Sequence, residues 1–215
     1  MVHGARGGPV SGGRLNADRR AFPAMASCAA KHCICEIGNS PSRMSGARVT
    51  PTREIKRQRR RRAHSCLDHL IIAPLWPKYG VNLGTLLRTC DAVGACMAVP
   101  KLPWVPEALD KGNTLRRPAC VHWTGRDPVA WLGWHREQGS RIVGVELADE
   151  AIRLADLTAA RERTIVVLGH EHDGIPDDAM ELIDVAVEIP MIGTGASLNV
   201  AVAGSLVLYR LAGFL

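Results

Sequence analysis

The sequence predicts an α/β fold in which a mostly parallel sheet is flanked by helices. Short apolar runs recur from residue 69 onward, each cut off by Pro or a polar turn. Between them lie longer segments with apolar residues at helical spacing. Strands alternating with helices argue for parallel pairing covered on both faces. The chain has 215 residues, 47% of them apolar, which is enough to build a core around such a sheet.

His69-Leu70-Ile71-Ile72-Ala73 is an apolar run closed by Pro74 and predicts a buried strand. Asn82 to Gly94 carries Leu83, Leu86, Leu87, Cys90 and Val93 at helical spacing, with Asn82 where an N-cap would sit and Gly94 as the stop. Ala95 to Val99 is the next strand, ended by Pro100, and Cys120 to Trp123 another. Pro128 to Gln138 predicts a helix with Trp131, Leu132 and Trp134. Strands follow at Arg141 to Leu147, Arg163 to Leu168 and Val185 to Ile189. Ser197 to Ala212 is a final apolar helix, stopped at Gly213.

Ahead of this body the character is different. Residues 1–64 have no sustained periodicity and are rich in Gly, Ala, Ser, Pro and Arg, so an unstructured extension over 1–65 is expected. Residues 1–66 hold 14 Lys and Arg against 3 Asp and Glu, and the remainder holds 13 against 18. A basic arm ahead of an acidic body suits an acidic polymer such as nucleic acid, because Lys and Arg displace the counterions of phosphates. A merely solvated tail is the plainer alternative. Arg57, Arg59, Arg60, Arg61 and Arg62 are the densest part of the arm and the expected RNA contacts. Aromatics are only 4%, so stacking platforms for single strands are not obvious.

No apolar run approaches the length that spans a bilayer, and the N-terminus does not resemble a secretory signal. No membrane partner is therefore expected. Seven cysteines at irregular spacing read as free thiols of a reducing, cytoplasmic setting. Cys90 and Cys96 read as small core residues. Cys28, His32, Cys33 and Cys35 lie close in sequence, but no second pair at standard spacing completes a tetrahedral set, so no metal is expected.

Three segments hold polar residues that a core alone would not require. In Asn82-Leu83-Gly84-Thr85-Leu86-Leu87-Arg88, Arg88 either pairs with Asp91 or faces a cleft, since a buried unpaired guanidinium is costly. In Leu168-Gly169-His170-Glu171-His172-Asp173-Gly174, a strand runs into Gly and then into a polar cluster. His170-Glu171-His172 invites a metal, but alternate side chains diverge in an extended segment and no third ligand is evident. In Ile189-Pro190-Met191-Ile192-Gly193-Thr194-Gly195-Ala196-Ser197-Leu198-Asn199, two glycines precede a helix, without the third glycine of a dinucleotide fingerprint. Ser197 reads most simply as an N-cap. Asn199, inside the first turn, has no such simple reading.

Taken together and in this order, the segments resemble the three motifs of the SpoU family of the SPOUT superfamily. Leu87 to Gly94 and Ile189 to Gly193 are most similar to its TrmH-type tRNA guanosine 2′-O-methyltransferases. The resemblance covers roughly residues 66–215, the expected catalytic domain. It implies a C-terminal trefoil knot, S-adenosyl-L-methionine (AdoMet) as cofactor, a homodimer, and methyl transfer to a ribose 2′-hydroxyl of RNA, tRNA favoured and rRNA the alternative. By the same resemblance Arg88, Asn82, Glu171, Ser197 and Asn199 form the catalytic set, with Arg88 also touching RNA. Glu146, Leu147, Leu168, Gly169, His170, Ile189, Pro190, Met191, Ser197 and Leu198 hold the cofactor. Two rivals are a relative that binds RNA without catalysis and a nucleotide-dependent oxidoreductase, the second disfavoured by the incomplete fingerprint. The sequence ends directly after the final helix, so a C-terminal grip on tRNA is expected to be absent, with either the basic arm in its place or a different RNA as substrate.

Overall fold

A computed structural model describes Cys66 and residues 69–115, 120–195 and 197–215. The strands are β1 (Leu70–Pro74), β2 (Cys96–Val99), β3 (Val121–Trp123), β4 (Arg141–Val145), β5 (Ile152–Arg153), β6 (Thr164–Leu168) and β7 (Val185–Glu188). The helices are α1 (Gly80–Val93), α2 (Val105–Gly112), α3 (Pro128–Glu137), α4 (Asp177–Met180) and α5 (Val200–Leu211), with one 3₁₀ turn at Leu154–Asp156. The strands form one sheet in the order β3-β2-β1-β6-β4-β7-β5, and every neighbouring pair is parallel. The expected parallel sheet flanked by helices is present.

The central strands β1 and β6 are buried along their whole length, because helices cover both faces of the sheet. On one face Ile72, Val166 and Leu168 pack with Leu83 and Leu86 of α1 and with Val207 and Leu208 of α5. On the other, Ile71, Ile165 and Val167 meet Trp131 and Leu132 of α3. Alternate side chains of one strand therefore feed two separate cores.

α1 and α2 cross at very close range. A Cβ added to Gly84 would lie 2.2 Å from the Cα of Gly112. The glycine in the Asn82-Leu83-Gly84 motif is thus a packing requirement, one that lets two backbones touch. Gly94 ends α1 in a left-handed conformation (φ 78°), as its position in the sequence predicted.

Two helix starts differ from expectation. α1 begins at Gly80, so Asn82 lies inside the first turn and is not its cap. α5 begins at Val200 with Asn199 as N-cap, so Ser197 precedes the helix. The segments α2, α4, β5 and the 3₁₀ turn are additional to the predicted elements. Each is eight residues or fewer, too short to register a period. The predictions for residues 1–65, including Arg57, Arg59, Arg60, Arg61, Arg62 and the Cys28–Cys35 group, lie outside the described residues. Among the described residues no helix is long and apolar enough to cross a membrane.

Candidate functional site

The carboxyl ends of β4, β6 and β7 open into a cleft of about 570 Å³, where open α/β sheets bind ligands. The walls come from the strand ends (Val145, Leu168, Val187), the segments that follow them, and the approach to α5. Nine of the ten residues expected to hold a cofactor line it: Glu146, Leu147, Leu168, Gly169, His170, Ile189, Met191, Ser197 and Leu198. Pro190 is exposed and is not part of the wall, although both its neighbours are.

The turn after β6 is tightly built. The His170 and Gly174 backbones exchange two hydrogen bonds (2.8 and 3.0 Å). A Cβ on Gly169 would come 2.2 Å from the Gly174 carbonyl carbon, and Gly174 itself has φ 71°. Both glycines are therefore required for the turn to close. The Glu146 carboxylate holds its far end by accepting from the Ile175 N–H (3.1 Å) and from the Leu147 N–H (3.1 Å).

One hydrogen-bonded chain ties the three motif segments together. Glu171 accepts from the Lys78 N–H (2.8 Å), the Tyr79 N–H (3.1 Å) and Asn82 Nδ2 (2.9 Å). Asn82 Oδ1 accepts from Asn199 Nδ2 (3.0 Å), and Asn199 Oδ1 caps α5 by accepting from Ala201 N (2.9 Å) and Val202 N (3.3 Å). The direction follows from chemistry. An ionised carboxylate only accepts, so Asn82 must offer Glu171 its amide nitrogen; its oxygen then faces Asn199, whose own oxygen is left for the helix. Burial raises the Glu171 carboxyl, but the Lys78, Asn82 and Tyr79 donors outweigh it and hold the group below the ordinary glutamate range. Its place at the start of α1 acts in the same sense.

Of the expected catalytic set, Asn82, Glu171, Ser197 and Asn199 all line this cleft. Arg88 does not. It follows Asn82 by six residues at about 100° each, roughly two-thirds of a turn away from it. That places it on the exposed stripe of α1 with Val81 and Thr85. Among the described residues it makes no ion pair with Asp91, and it does not line this cleft; its side chain is exposed. An Arg set among apolar positions of a helix can thus still fall on its solvent-facing stripe, without a partner or a cleft.

The sequence did not single out Tyr79, Glu188 or the aromatic contact at the cleft edge, where Tyr79 Oη lies 3.2 Å from His172 Nε2. The side chains of His170, Glu171 and His172 have separate partners. His170 Nδ1 is 2.7 Å from Asp173 Oδ2, Glu171 serves α1, and His172 meets Tyr79. They do not converge on a common point.

The lining carries three carboxylates, Glu146, Glu171 and Glu188, and no Lys or Arg. A cleft of this sign and size accommodates a small cation with apolar parts far better than a doubly phosphorylated dinucleotide.

The family model described as the SpoU rRNA methylase family matches residues 69–209. The tRNA (guanosine(18)-2′-O)-methyltransferase of Escherichia coli K12 is 34% identical over 134 residues, which are 60% of this chain and 56% of that protein. The chain thus spans little more than half the length of this relative. Among solved structures, the Aquifex aeolicus TrmH/SpoU tRNA modifying enzyme superposes with a TM-score of 0.60 at 24% identity, over 75% of this chain and 82% of the other. The AdoMet-bound rRNA methyltransferase of Sinorhizobium meliloti does so with a TM-score of 0.59 at 21% identity, over 73% and 60%. At these identities the superpositions establish a shared fold.

Proposed function

The chain belongs to the SpoU rRNA methylase family, and from that premise we propose that it transfers a methyl group from AdoMet to a ribose 2′-hydroxyl of RNA. The observation that carries the proposal is the convergence of all three motif segments on one acidic, partly apolar cleft at the carboxyl ends of β4, β6 and β7. Residues 66–215 then form the catalytic domain and residues 1–65 a basic extension.

AdoMet fits the donor set. Glu146, Glu171 and Glu188 offset a positive sulfonium and ammonium, while Leu168, Ile189 and Leu198 provide apolar walls. Glu146, Leu147, Leu168, Gly169, His170, Ile189, Met191, Ser197 and Leu198 would hold it, with Pro190 fixing the backbone between two of them. When bound, this cofactor supplies an electrophilic methyl carbon.

The protein's own task is to bring the ribose hydroxyl in line and weaken its hold on its proton. A guanidinium carries five N–H donors and no acceptor, so Arg88 is poorly suited to act as a base. Its role is to fork onto an RNA phosphate and polarise the hydroxyl, with that phosphate or water taking the proton. Because Arg88 lies on the exposed stripe of α1, it meets RNA lying across that stripe, or meets the cleft of a second copy. Asn82, Glu171, Ser197 and Asn199 orient the ribose and the methionine end of the cofactor. Arg57, Arg59, Arg60, Arg61 and Arg62 add sequence-independent affinity through phosphates.

Homodimer formation is part of the proposal. Leu198 and Val202 are exposed, and Ile192 is entirely so, beside a helix whose other side is already buried. Exposed apolar side chains of this kind are what an interface between two copies would cover. A trefoil knot around the cleft, a cytoplasmic setting for the free thiols, and tRNA in preference to rRNA complete it. Full-length protein incubated with methyl-labelled AdoMet and either total tRNA or rRNA tests the proposal. Label in a 2′-O-methylnucleoside of tRNA, lost with Arg88→Ala, is the expected result. Label in rRNA alone would change the substrate and keep the chemistry. Label in neither, with S-adenosylhomocysteine still bound, would point to a different substrate or to a relative that binds without methylating.

A further inference from the structure

A second gathering of reactive side chains lies at the opposite end of the sheet from the cleft. Cys96 opens β2, Cys120 directly precedes β3, His122 sits within β3, and Cys66 approaches β1 from outside. Because β1, β2 and β3 are parallel neighbours, their amino ends are brought together. His122 is the register partner of Ala98, and Cys96 and Cys120 each stand two residues before that pair. Alternation along the strands therefore puts all three side chains on the same face.

The four ligand atoms all lie within 4.8 Å of one another. The contacts are 3.6 Å for Cys66 Sγ to Cys96 Sγ, 3.7 Å for Cys66 Sγ to His122 Nε2, and 3.4 Å for Cys120 Sγ to His122 Nε2. A tetrahedral zinc ion with bonds of about 2.3 Å to sulfur and about 2.05 Å to nitrogen requires edges of roughly 3.8 Å between sulfurs and roughly 3.6 Å from sulfur to nitrogen. These three of the site's six edges lie within about 0.2 Å of those values, and the other three are no longer than 4.8 Å.

We propose that Cys66, Cys96, Cys120 and His122 form a closed, structural Cys₃His site for a zinc-type divalent cation. Binding converts three thiols to thiolates, releases their protons, and leaves the neutral imidazole as fourth donor. Four protein ligands leave no open position for a substrate, so the site is structural and not catalytic. Its effect is to fasten residue 66 to the second and third strands. Arg62, the last of the proposed phosphate contacts, precedes that anchor by only four residues. The metal therefore gives the end of the basic extension a fixed point on the body.

The test is the metal content of reduced, full-length protein, followed by Co²⁺ titration of the metal-free protein. The expected result is one ion per chain and the visible and near-ultraviolet absorption of tetrahedral cobalt thiolate. Both are lost in Cys66→Ser and Cys120→Ser and retained in Cys33→Ser and Cys35→Ser. Cys66 is exposed and outside the sheet, so Cys66→Ser leaves the fold intact, as far-ultraviolet circular dichroism checks. Should Cys120→Ser fail to fold, Cys66→Ser and the titration of the parent protein decide the matter. A chain with all thiols reactive, no metal and no cobalt absorption overturns the proposal. So does an ion kept by Cys66→Ser but lost on changing Cys33 or Cys35.

Discussion

Replacing Asn82 by Ala tests the hydrogen-bonded chain that joins the three motif segments. Asn82 is 5% exposed, and each end of its amide has one partner, Glu171 Oε1 at 2.9 Å and Asn199 Nδ2 at 3.0 Å. A hydrogen bond to a charged group contributes about 1.5–3 kcal/mol and a neutral one about 1 kcal/mol, so the loss is roughly 2.5–4 kcal/mol before relaxation. Water admitted to the vacated space offsets part of this, leaving roughly 2 kcal/mol. For a domain of this size that lowers Tm by roughly 4–8 °C. Asn199→Asp is the companion variant. Aspartate still caps α5 but has no amide proton to give Asn82. Thermal unfolding of both single variants and the double variant isolates the contact, with a coupling of about 1 kcal/mol expected for neighbours sharing a bond. S-adenosylhomocysteine affinity, measured by calorimetry, should fall in both singles. Strict additivity of the two changes, with affinity unaltered, would show that the chain does not position the cleft.

Four further outcomes follow from particular contacts. Arg88→Ala, at an exposed position, should change stability by less than about 0.5 kcal/mol, while methylation of RNA falls at least tenfold and S-adenosylhomocysteine affinity holds. Arg88→Lys should recover little, since an ammonium cannot fork onto a phosphate; full activity in the lysine variant would count against that role. Gly84→Ala forces a methyl into the Gly112 backbone and should cost about 1–3 kcal/mol or more in chemical denaturation, whereas Gly133→Ala, with open space around it, should cost nothing comparable. Glu171 has a folded pKa below its unfolded one, so its contribution is complete above the ordinary glutamate pKa of about 4.3 and is lost as pH falls through the lower folded value. Glu171→Gln should therefore flatten the acid limb of the stability profile, and an unchanged limb would remove Glu171 from that role.

The sheet was legible in the sequence because its strands are buried on both faces and so appear as unbroken apolar runs, as in Leu70–Pro74 and Thr164–Leu168. The polar stretches after Leu168 and Ile189 were legible because they lie directly beyond such runs, whereas the full set of cleft residues followed only from the resemblance to the SpoU family. What the sequence concealed is tertiary. Asn199 looked unexplained within a first turn because the helix was taken to start at Ser197; one residue in fact serves as cap and as link to Asn82. Asn82 looked like a cap, yet it lies within the first turn and gives its side-chain amide to Glu171, 89 residues further on, which also accepts from the Lys78 and Tyr79 N–H groups just ahead of α1. The Cys66, Cys96, Cys120 and His122 group is spread over three strand starts. Only the parallel order β3-β2-β1 makes neighbours of residues that share no recognisable spacing.

On the proposed function, the charge distribution assigns the cofactor and the RNA to different parts of the chain. A cleft lined by Glu146, Glu171 and Glu188, without Lys or Arg, favours a cation and repels a phosphate. On the proposed function, RNA is drawn in from outside the cleft, by the exposed Arg88 on α1 and by the basic run from Lys56 to Arg62 in the sequence. Salt should therefore separate the two events. RNA affinity should fall steeply with ionic strength, in proportion to the phosphates engaged, while S-adenosylhomocysteine affinity changes little, because its contacts lie within a partly enclosed site. Removing residues 1–62 should reduce the salt slope for RNA and leave cofactor binding as it was. Equal salt slopes with and without that extension would place the RNA contacts on the catalytic body alone.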